Sequence, residues 1–112
     1  ETSPLAWRFL EPGADFFLTV TDSEAVDAME LLAKGSDLDL PIVAGESGAA
    51  GLAGLLQLMN DPARASEAGL DANANVVLIS TEGATAPSVY RELVGEDARE
   101  VLARQQRFLE RR

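Results

Sequence analysis

The sequence contains neither cysteine nor histidine, and Lys34 is its single lysine. The chain can therefore form no disulfide, and it has no thiolate nucleophile, no imidazole base and none of the commonest metal ligands. We expect no metal site. Its apolar runs are much shorter than the roughly 20 residues that a membrane span requires, and its first residues lack the basic and apolar regions of a signal peptide. We expect a cytoplasmic protein with no membrane partner.

Positive charge is also scarce, with nine Lys and Arg residues against 19 Asp and Glu residues, for a net charge of −10. Because a nucleic-acid backbone carries charge of the same sign, we expect no nucleic-acid partner. The charge is uneven along the chain. Residues 91–112 contain six basic and five acidic residues, whereas residues 1–90 contain three and 14. This difference predicts a distinct terminal amphipathic helix over residues 96–112.

Apolar side chains are plentiful enough for one packed domain, at 46% of the 112 residues. Three short apolar runs, at residues 16–20, 41–44 and 75–80, predict β-strands. The run at 75–80 has no polar alternation, which predicts a central strand covered on both faces. Helices are predicted between the runs, and the first of them opens with a capping box from Thr21 to Glu24. Alternating strands and helices predict an α/β fold with a parallel sheet and an extra C-terminal helix.

Two loops that follow apolar runs are rich in glycine and side-chain oxygen, at residues 45–48 and 80–83. Ligands of open parallel sheets bind beyond the carboxyl ends of the strands, so these loops are the predicted binding region. The helix after the first loop contains Gly51 and Gly54, each of which costs about 1 kcal/mol relative to alanine in a helix interior. That cost predicts close approach by another backbone or by a ligand. From composition alone, an ordinary helix cap and strand end explain such loops more often.

The order of these elements resembles the C-terminal part of fold-type-II pyridoxal-phosphate enzymes, and within that group the diaminopropionate ammonia-lyases. Three sequence patterns carry the resemblance: Ser3-Pro4-Leu5-Ala6-Trp7, Ala44-Gly45-Glu46-Ser47-Gly48-Ala49-Ala50-Gly51-Leu52, and Ser80-Thr81-Glu82-Gly83-Ala84-Thr85 followed by Tyr90-Arg91. The resemblance implies that residues 1–95 are the C-terminal part of a lyase catalytic domain, a partial fold-type-II domain, with residues 96–112 as the added helix.

The resemblance also implies which residues contact the cofactor pyridoxal 5′-phosphate. Ser80, with Thr81 as the neighbouring candidate, matches the hydroxyl that faces the pyridine nitrogen in this family. A neutral hydroxyl can bond the ring nitrogen without forcing it to stay protonated, which tempers the ability of the ring to withdraw electrons.

The first loop matches a second group of cofactor contacts. Glu46 matches an acidic residue that the family places near the cofactor ring, and Gly45, Ser47 and Gly48 would let the backbone approach it. The family pattern usually has an acidic residue where Ala86 stands. This departure leaves open any substrate-binding role for the loop that contains Ala86.

Two parts of the family's site are missing from this sequence, namely the Schiff-base lysine and the glycine-rich phosphate cradle. Lys34 stands at a predicted helix end, just before Gly35, where we expect a solvated cation that interacts with the helix C-terminus. The resemblance therefore implies a fragment of a longer enzyme. We expect this chain alone to be inactive and not to bind the cofactor.

The function that the resemblance implies is α,β-elimination of ammonia from a small amino acid, such as 2,3-diaminopropionate, to give a 2-keto acid. Two alternatives stay open. One is a pyridoxal-phosphate enzyme of the threonine or serine dehydratase type, which differs in its leaving group. The other is a non-catalytic α/β interaction module. The terminal helix is expected to bury Val101, Leu102, Phe108 and Leu109. We expect a homodimer, for which this apolar stripe is one candidate contact.

Overall fold

The computed structural model describes residues 2–111, within which six helices are joined by turns and non-helical segments. The helices are α1 (Pro4–Gly13), α2 (Asp22–Lys34), α3 (Glu46–Met59), α4 (Pro62–Glu67), α5 (Pro87–Val94) and α6 (Ala98–Glu110). The extra C-terminal helix is present as α6. The predicted segments 1–95 and 96–112 include Glu1 and Arg112, which lie outside the described residues. No helix between residues 2 and 111 is long and apolar enough to cross a membrane.

The predicted α/β fold with a parallel sheet is wrong, because residues 2–111 form no β-strand. The expectation of a partial fold-type-II domain, with its alternating strands, fails for the same reason. The three apolar runs are non-helical, but they do not pair. Ile42 N–H donates to the Leu32 carbonyl of α2, and no backbone hydrogen bond within the described residues involves the run at 75–80. β-branched residues favour an extended backbone, whereas a strand also needs a neighbouring backbone about 4.8 Å away.

The run at 75–80 is also not the covered central strand that its composition predicts. Val77 is 86% exposed and Ile79 is 75% exposed. Val76 and Leu78, which alternate with them, are about half as exposed, and Leu78 packs towards α3. An unbroken apolar run therefore did not indicate burial on both faces here.

The capping box predicted at the start of α2 is confirmed. The Thr21 hydroxyl accepts a hydrogen bond from Glu24 N–H (3.2 Å), and the Glu24 carboxylate accepts one from Thr21 N–H (2.7 Å). The bond from the Thr21 backbone is the main reason why the pKa of Glu24 is lowered. Gln57 of α3 donates to the Thr19 carbonyl (3.0 Å) and to the Glu24 carboxylate (3.4 Å). The start of α2 is thereby tied to α3.

The core lies where α2 packs on α3, which is the most extensive contact between two helices of the described chain. Apart from Met29, its buried side chains on these two helices are alanines, so the two backbones can approach closely. The buried members of this core are Ala28, Met29 and Ala33 of α2, Ala49 and Ala53 of α3, Ala44, Tyr90 of α5 and Val101 of α6. This packing fixes the N-terminal end of α3, around which the candidate site is built.

Arg104 of α6 pairs with Glu96, just before α6, and hydrogen-bonds the end of α2. The Arg104 guanidinium donates to both carboxylate oxygens of Glu96 (2.6 Å each) and to the Ala33 carbonyl (2.7 Å). These bonds lower the pKa of Glu96 and raise the pKa of Arg104. Gln105 adds a hydrogen bond to the Pro41 carbonyl (2.9 Å). Because the Ala33 carbonyl lies in the last turn of α2, Arg104 also satisfies one of the acceptors that a helix C-terminus leaves unpaired.

Candidate functional site

The two loops singled out in the sequence lie side by side at the N-terminus of α3. We call residues 45–48 the first loop, although residues 46–48 form the first turn of α3, which was predicted to begin only at Ala49, and we call residues 80–83 the second loop. Gly45 N–H donates to the Glu82 carbonyl (2.9 Å). Ser47 N–H donates to Oε1 of the Glu82 carboxylate (3.2 Å). The structure therefore brings the loops together, although the sheet that was expected to align them is not formed.

The glycines of the first loop are buried beneath the second loop. A Cβ atom on Gly45 would meet Oε1 of Glu82 and would lie 2.7 Å from the Gly83 carbonyl oxygen. A Cβ atom on Gly48 would meet the Glu82 carbonyl oxygen and would lie 2.8 Å from Oγ of Ser80. Close approach by another backbone is thus found at Gly45 and Gly48, where the approaching backbone is the second loop, and not at Gly51 and Gly54, where it was predicted. That Gly45 and Gly48 also let the backbone approach a cofactor stays a prediction.

Two further glycines of α3 have more room around them. A Cβ atom on Gly51 would lie 3.6 Å from Cδ2 of Leu78, and one on Gly54 would lie 3.5 Å from Cδ1 of Leu18. Both are ordinary van der Waals distances. Leu18 and Leu78 therefore pack on α3 at positions without a side chain, but a Cβ atom at Gly51 or Gly54 would also fit.

The predicted ring-nitrogen partners lie at the exposed edge of the second loop. Ser80 and Thr81 are both exposed, and neither hydroxyl has a hydrogen-bond partner among residues 2–111. Oγ of Ser80 lies against Gly48 at the start of α3. Both hydroxyls are consequently free to bond a ligand, and their predicted contact with a cofactor ring stays a prediction.

Glu46 and Ser47 occupy the first turn of α3, and both are exposed. Glu46 borders a small cavity between the two loops. Ser47 contributes its backbone N–H to the contact with Glu82, whereas its hydroxyl makes no hydrogen bond within the described part of the chain. The first loop thus offers one free carboxylate and one free hydroxyl beside the second loop.

The cavity between the loops has a volume of about 100 Å³. Its lining includes Met29, Glu46, Glu82, Tyr90 and residues 83–86. Small-molecule pockets usually measure about 300–1,000 Å³. The cavity is therefore too small to enclose a cofactor together with an amino acid. Ala86 is the N-cap residue of α5 and makes no side-chain cap, so the position at which the family has an acidic residue is here uncharged.

Tyr90 brings a buried hydroxyl close to this cavity. The side chain is 2% exposed, and its phenolic oxygen has no hydrogen-bond partner among residues 2–111. Burial raises the pKa of Tyr90, the charge of Glu96 raises it further, and Arg104 acts in the opposite direction. Since the shift is upward from an ordinary value near 10, the phenol is neutral at physiological pH.

Glu82 is the site residue to which the sequence patterns assigned no role. Its carboxylate receives the Ser47 N–H from a position 35 residues earlier in the chain. The reason for this contact becomes visible at the start of α3, where the structure places Gly45. Gly45 is the N-cap residue of α3 and has no side chain with which to cap it, so an acceptor has to come from elsewhere.

Comparison with known proteins identifies relatives of the chain. No protein-family model matches the sequence. The diaminopropionate ammonia-lyase of Salmonella typhimurium is 36% identical over 98 residues, which cover 84% of this chain and 24% of the relative. The enzymes of the same name from Escherichia coli K12 and O157:H7 are each 39% identical over 99 residues, covering 86% of this chain and 25% of the relative. The chain thus spans about a quarter of the length of these relatives.

Proposed function

The chain is related over most of its length to one quarter of the diaminopropionate ammonia-lyases, and from that premise we propose that it is one part of a longer ammonia-lyase. The identity confirms the resemblance to these enzymes that the sequence patterns indicated. It is also the observation on which the proposal rests. The division into a catalytic-domain segment (residues 1–95) and a terminal helix (residues 96–112) belongs to the same proposal.

The proposed reaction of the whole enzyme is the α,β-elimination of ammonia from a small amino acid such as 2,3-diaminopropionate to give an enamine, which water hydrolyses to a 2-keto acid with release of a second ammonia. Pyridoxal phosphate, when bound, withdraws electrons from the α-carbon of the substrate. The names of the relatives favour ammonia as the leaving group over the water lost in the dehydratase alternative. They also favour an enzyme over an interaction module.

The residues of this chain suit one side of the cofactor ring. Ser80 and Thr81 carry free, neutral hydroxyls that can bond a ring nitrogen. The Ser47 N–H at the start of α3 is already bonded to the Glu82 carboxylate. This supports the expectation that the phosphate is bound by residues outside this chain. Lys34 lies in the last turn of α2, outside the two loops, so the cofactor-bearing lysine is also proposed to lie elsewhere.

A homodimer is part of the proposal. Its contact through α6 can use only some of the apolar side chains on that helix, because others are buried within this chain. Val101 is fully buried within this chain and cannot contact a second copy. Leu102 and Leu109 are each 48% exposed, so they are the members of the stripe available for the dimer contact. Sedimentation velocity of the whole enzyme tests this, and a monomer at working concentration would refute it.

The deciding experiment uses the full reading frame that encodes this chain. The enzyme should release ammonia from 2,3-diaminopropionate in preference to serine and threonine. Ser80→Ala should shift the absorbance of the bound cofactor and reduce turnover about 2- to 10-fold, the effect of one lost hydrogen bond. Ser66→Ala is the matched control, because it makes the same change on the exposed surface of α4.

Three results would count against the proposal. A reading frame that encodes no upstream lysine-bearing domain would refute the enzyme assignment. Turnover of serine or threonine in preference to 2,3-diaminopropionate would favour the dehydratase alternative. If both Ser80→Ala and Thr81→Ala left the spectrum and the rate unchanged, neither hydroxyl would contact the cofactor ring.

A further inference from the structure

We infer that Glu82 is a positioning residue, which fixes the place of the Ser80 hydroxyl against the N-terminus of α3. The inference rests on the proposed function, because Ser80 is there the residue that contacts the cofactor ring. It adds a residue to which neither the sequence patterns nor the names of the relatives assign a role. Glu82 itself is not proposed to touch the cofactor or the substrate.

Both the backbone and the side chain of Glu82 bind the first loop. Its carbonyl oxygen accepts the Gly45 N–H (2.9 Å), and its carboxylate accepts the Ser47 N–H (3.2 Å). Atoms of Glu82 also occupy the space that a Cβ atom would need at Gly45 and at Gly48. The residue is thus held by two hydrogen bonds and by close packing at two glycines.

The carboxylate suits this position electrostatically. The N-terminus of a helix presents unpaired N–H groups and a partial positive charge, and it is stabilised by an acceptor that carries negative charge. Because the N-cap residue Gly45 makes no side-chain cap, Glu82 supplies this acceptor from the second loop. A glutamine at position 82 would keep the acceptor oxygen and lose the charge, whereas an alanine would lose both.

Ser80 depends on this anchor because the segment before it is not anchored by its backbone. No backbone hydrogen bond within residues 2–111 involves residues 75–80. Glu82, two residues after Ser80, is the nearest residue whose hydrogen bonds attach the segment to α3. With the carboxylate removed, one of its two hydrogen bonds is lost and the loop can move relative to Gly48. The Ser80 hydroxyl would then move with it.

The test measures the absorbance of the bound cofactor, kcat and KM in the full-length, cofactor-loaded enzyme. Glu82→Ala should shift the absorbance in the same direction as Ser80→Ala and lower kcat about 3- to 10-fold, with a smaller change in KM. Glu82→Gln should retain most of the activity, because its carboxamide oxygen still accepts the Ser47 N–H. Glu92→Gln, on the exposed side of α5, is the control for loss of a surface charge.

A double substitution separates positioning from a general structural role. If Glu82 acts through Ser80, Glu82→Ala should cause no further spectral shift in a Ser80→Ala background. A shift that adds in full to that of Ser80→Ala would overturn the inference. Should Glu82→Ala not fold, the same comparison can be made with Glu82→Asp, which keeps the charge and shortens the reach. An unchanged spectrum in that variant would also overturn it.

The same set of variants separates this inference from the proposed function. A shifted spectrum in Ser80→Ala with an unchanged one in Glu82→Ala would refute only the positioning role. Unchanged spectra in both variants would refute the assignment of Ser80 as the cofactor contact, and the positioning role with it.

Discussion

The close contact between Gly48 and the second loop gives a sharp prediction about two glycines of one helix. Gly48 and Gly51 both lie within α3, and each can be replaced by alanine. At Gly51 the new methyl group would have its nearest neighbour, Cδ2 of Leu78, at 3.6 Å. At Gly48 it would collide with the Glu82 carbonyl oxygen and lie 2.8 Å from Oγ of Ser80. Only the first of these sites has room for the added methyl group.

The two variants should therefore differ in the sign of their effect on stability. Alanine is better than glycine in a helix interior by about 1 kcal/mol, so Gly51→Ala should raise the free energy of unfolding by about 0.5–1 kcal/mol. Overpacking costs about 1–3 kcal/mol, and the obstructing atom at Gly48 belongs to the backbone and cannot rotate away. Gly48→Ala should thus lower the free energy of unfolding by about 0–2 kcal/mol. The difference between the two variants should be about 1–3 kcal/mol.

Urea unfolding of the 112-residue chain, followed by far-ultraviolet circular dichroism, measures this difference. Sucrose can be added to all samples to keep the folded baseline well defined. In the full-length enzyme, Gly48→Ala should also shift the cofactor absorbance, because the second loop carries Ser80. Equal unfolding midpoints for Gly48→Ala and Gly51→Ala would show that the second loop does not pack on α3 as described.

Two further predictions concern the residues around α6. Arg104→Met should lower the free energy of unfolding by about 1–3 kcal/mol. Glu96→Gln keeps an acceptor oxygen, so it should lower the free energy of unfolding by less. Equal decreases in the two variants would contradict the bonding described. Because the pKa of Glu96 is lowered in the folded chain, its stabilising effect is present above the ordinary value of about 4.3 and is lost as pH falls through the folded value. Acid should therefore destabilise the wild type more than Arg104→Met. Tyr90→Phe removes a buried hydroxyl without a partner in the described chain, so it should be neutral or stabilising by about 1 kcal/mol. Because the pKa of Tyr90 is raised in the folded chain, the free energy of unfolding should fall as pH rises beyond about 10. This fall should be absent from Tyr90→Phe. A clear destabilisation of Tyr90→Phe near neutral pH would show that the hydroxyl has a partner.

The helix boundaries could be predicted where their signals are local. The Thr21–Glu24 capping box spans four residues, and the Asp61-Pro62 start places an N-cap oxygen next to a proline at the first helical position. Asp61 does accept the Arg64 N–H (3.2 Å). Such contacts join residues three positions apart, so the sequence contains both partners. α1 also begins with this type of signal, at Ser3 and Pro4, but it was not predicted.

The absence of strand pairing among residues 2–111 could not be foreseen in the same way, because pairing is not a local property. Residues 75–80 have the composition of a strand, yet composition contains no information about which backbone lies beside them. Burial was inferred from the same run and was also wrong, as the exposure of Val77 and Ile79 shows. The runs indicated where the chain is not helical, and no more than that.

The candidate site was predicted in part. The first and second loops do meet, whereas the close backbone approach predicted at Gly51 and Gly54 is found at Gly45 and Gly48 instead. The contact that joins the loops is made by Glu82 and Ser47, 35 residues apart, and nothing near Glu82 in the sequence points to that partner. Its role becomes visible only when α3 is seen to begin at a glycine that cannot cap it.

The preponderance of alanine where α2 meets α3 has a thermodynamic consequence. Met29 and Val101 are the largest fully buried side chains among residues 2–111, so unfolding exposes little aliphatic surface for a chain of this length. The heat-capacity increment of unfolding scales with that surface. Calorimetry of the chain should accordingly show a small increment and a broad melting endotherm, with a stability curve that changes little between cold and warm temperatures.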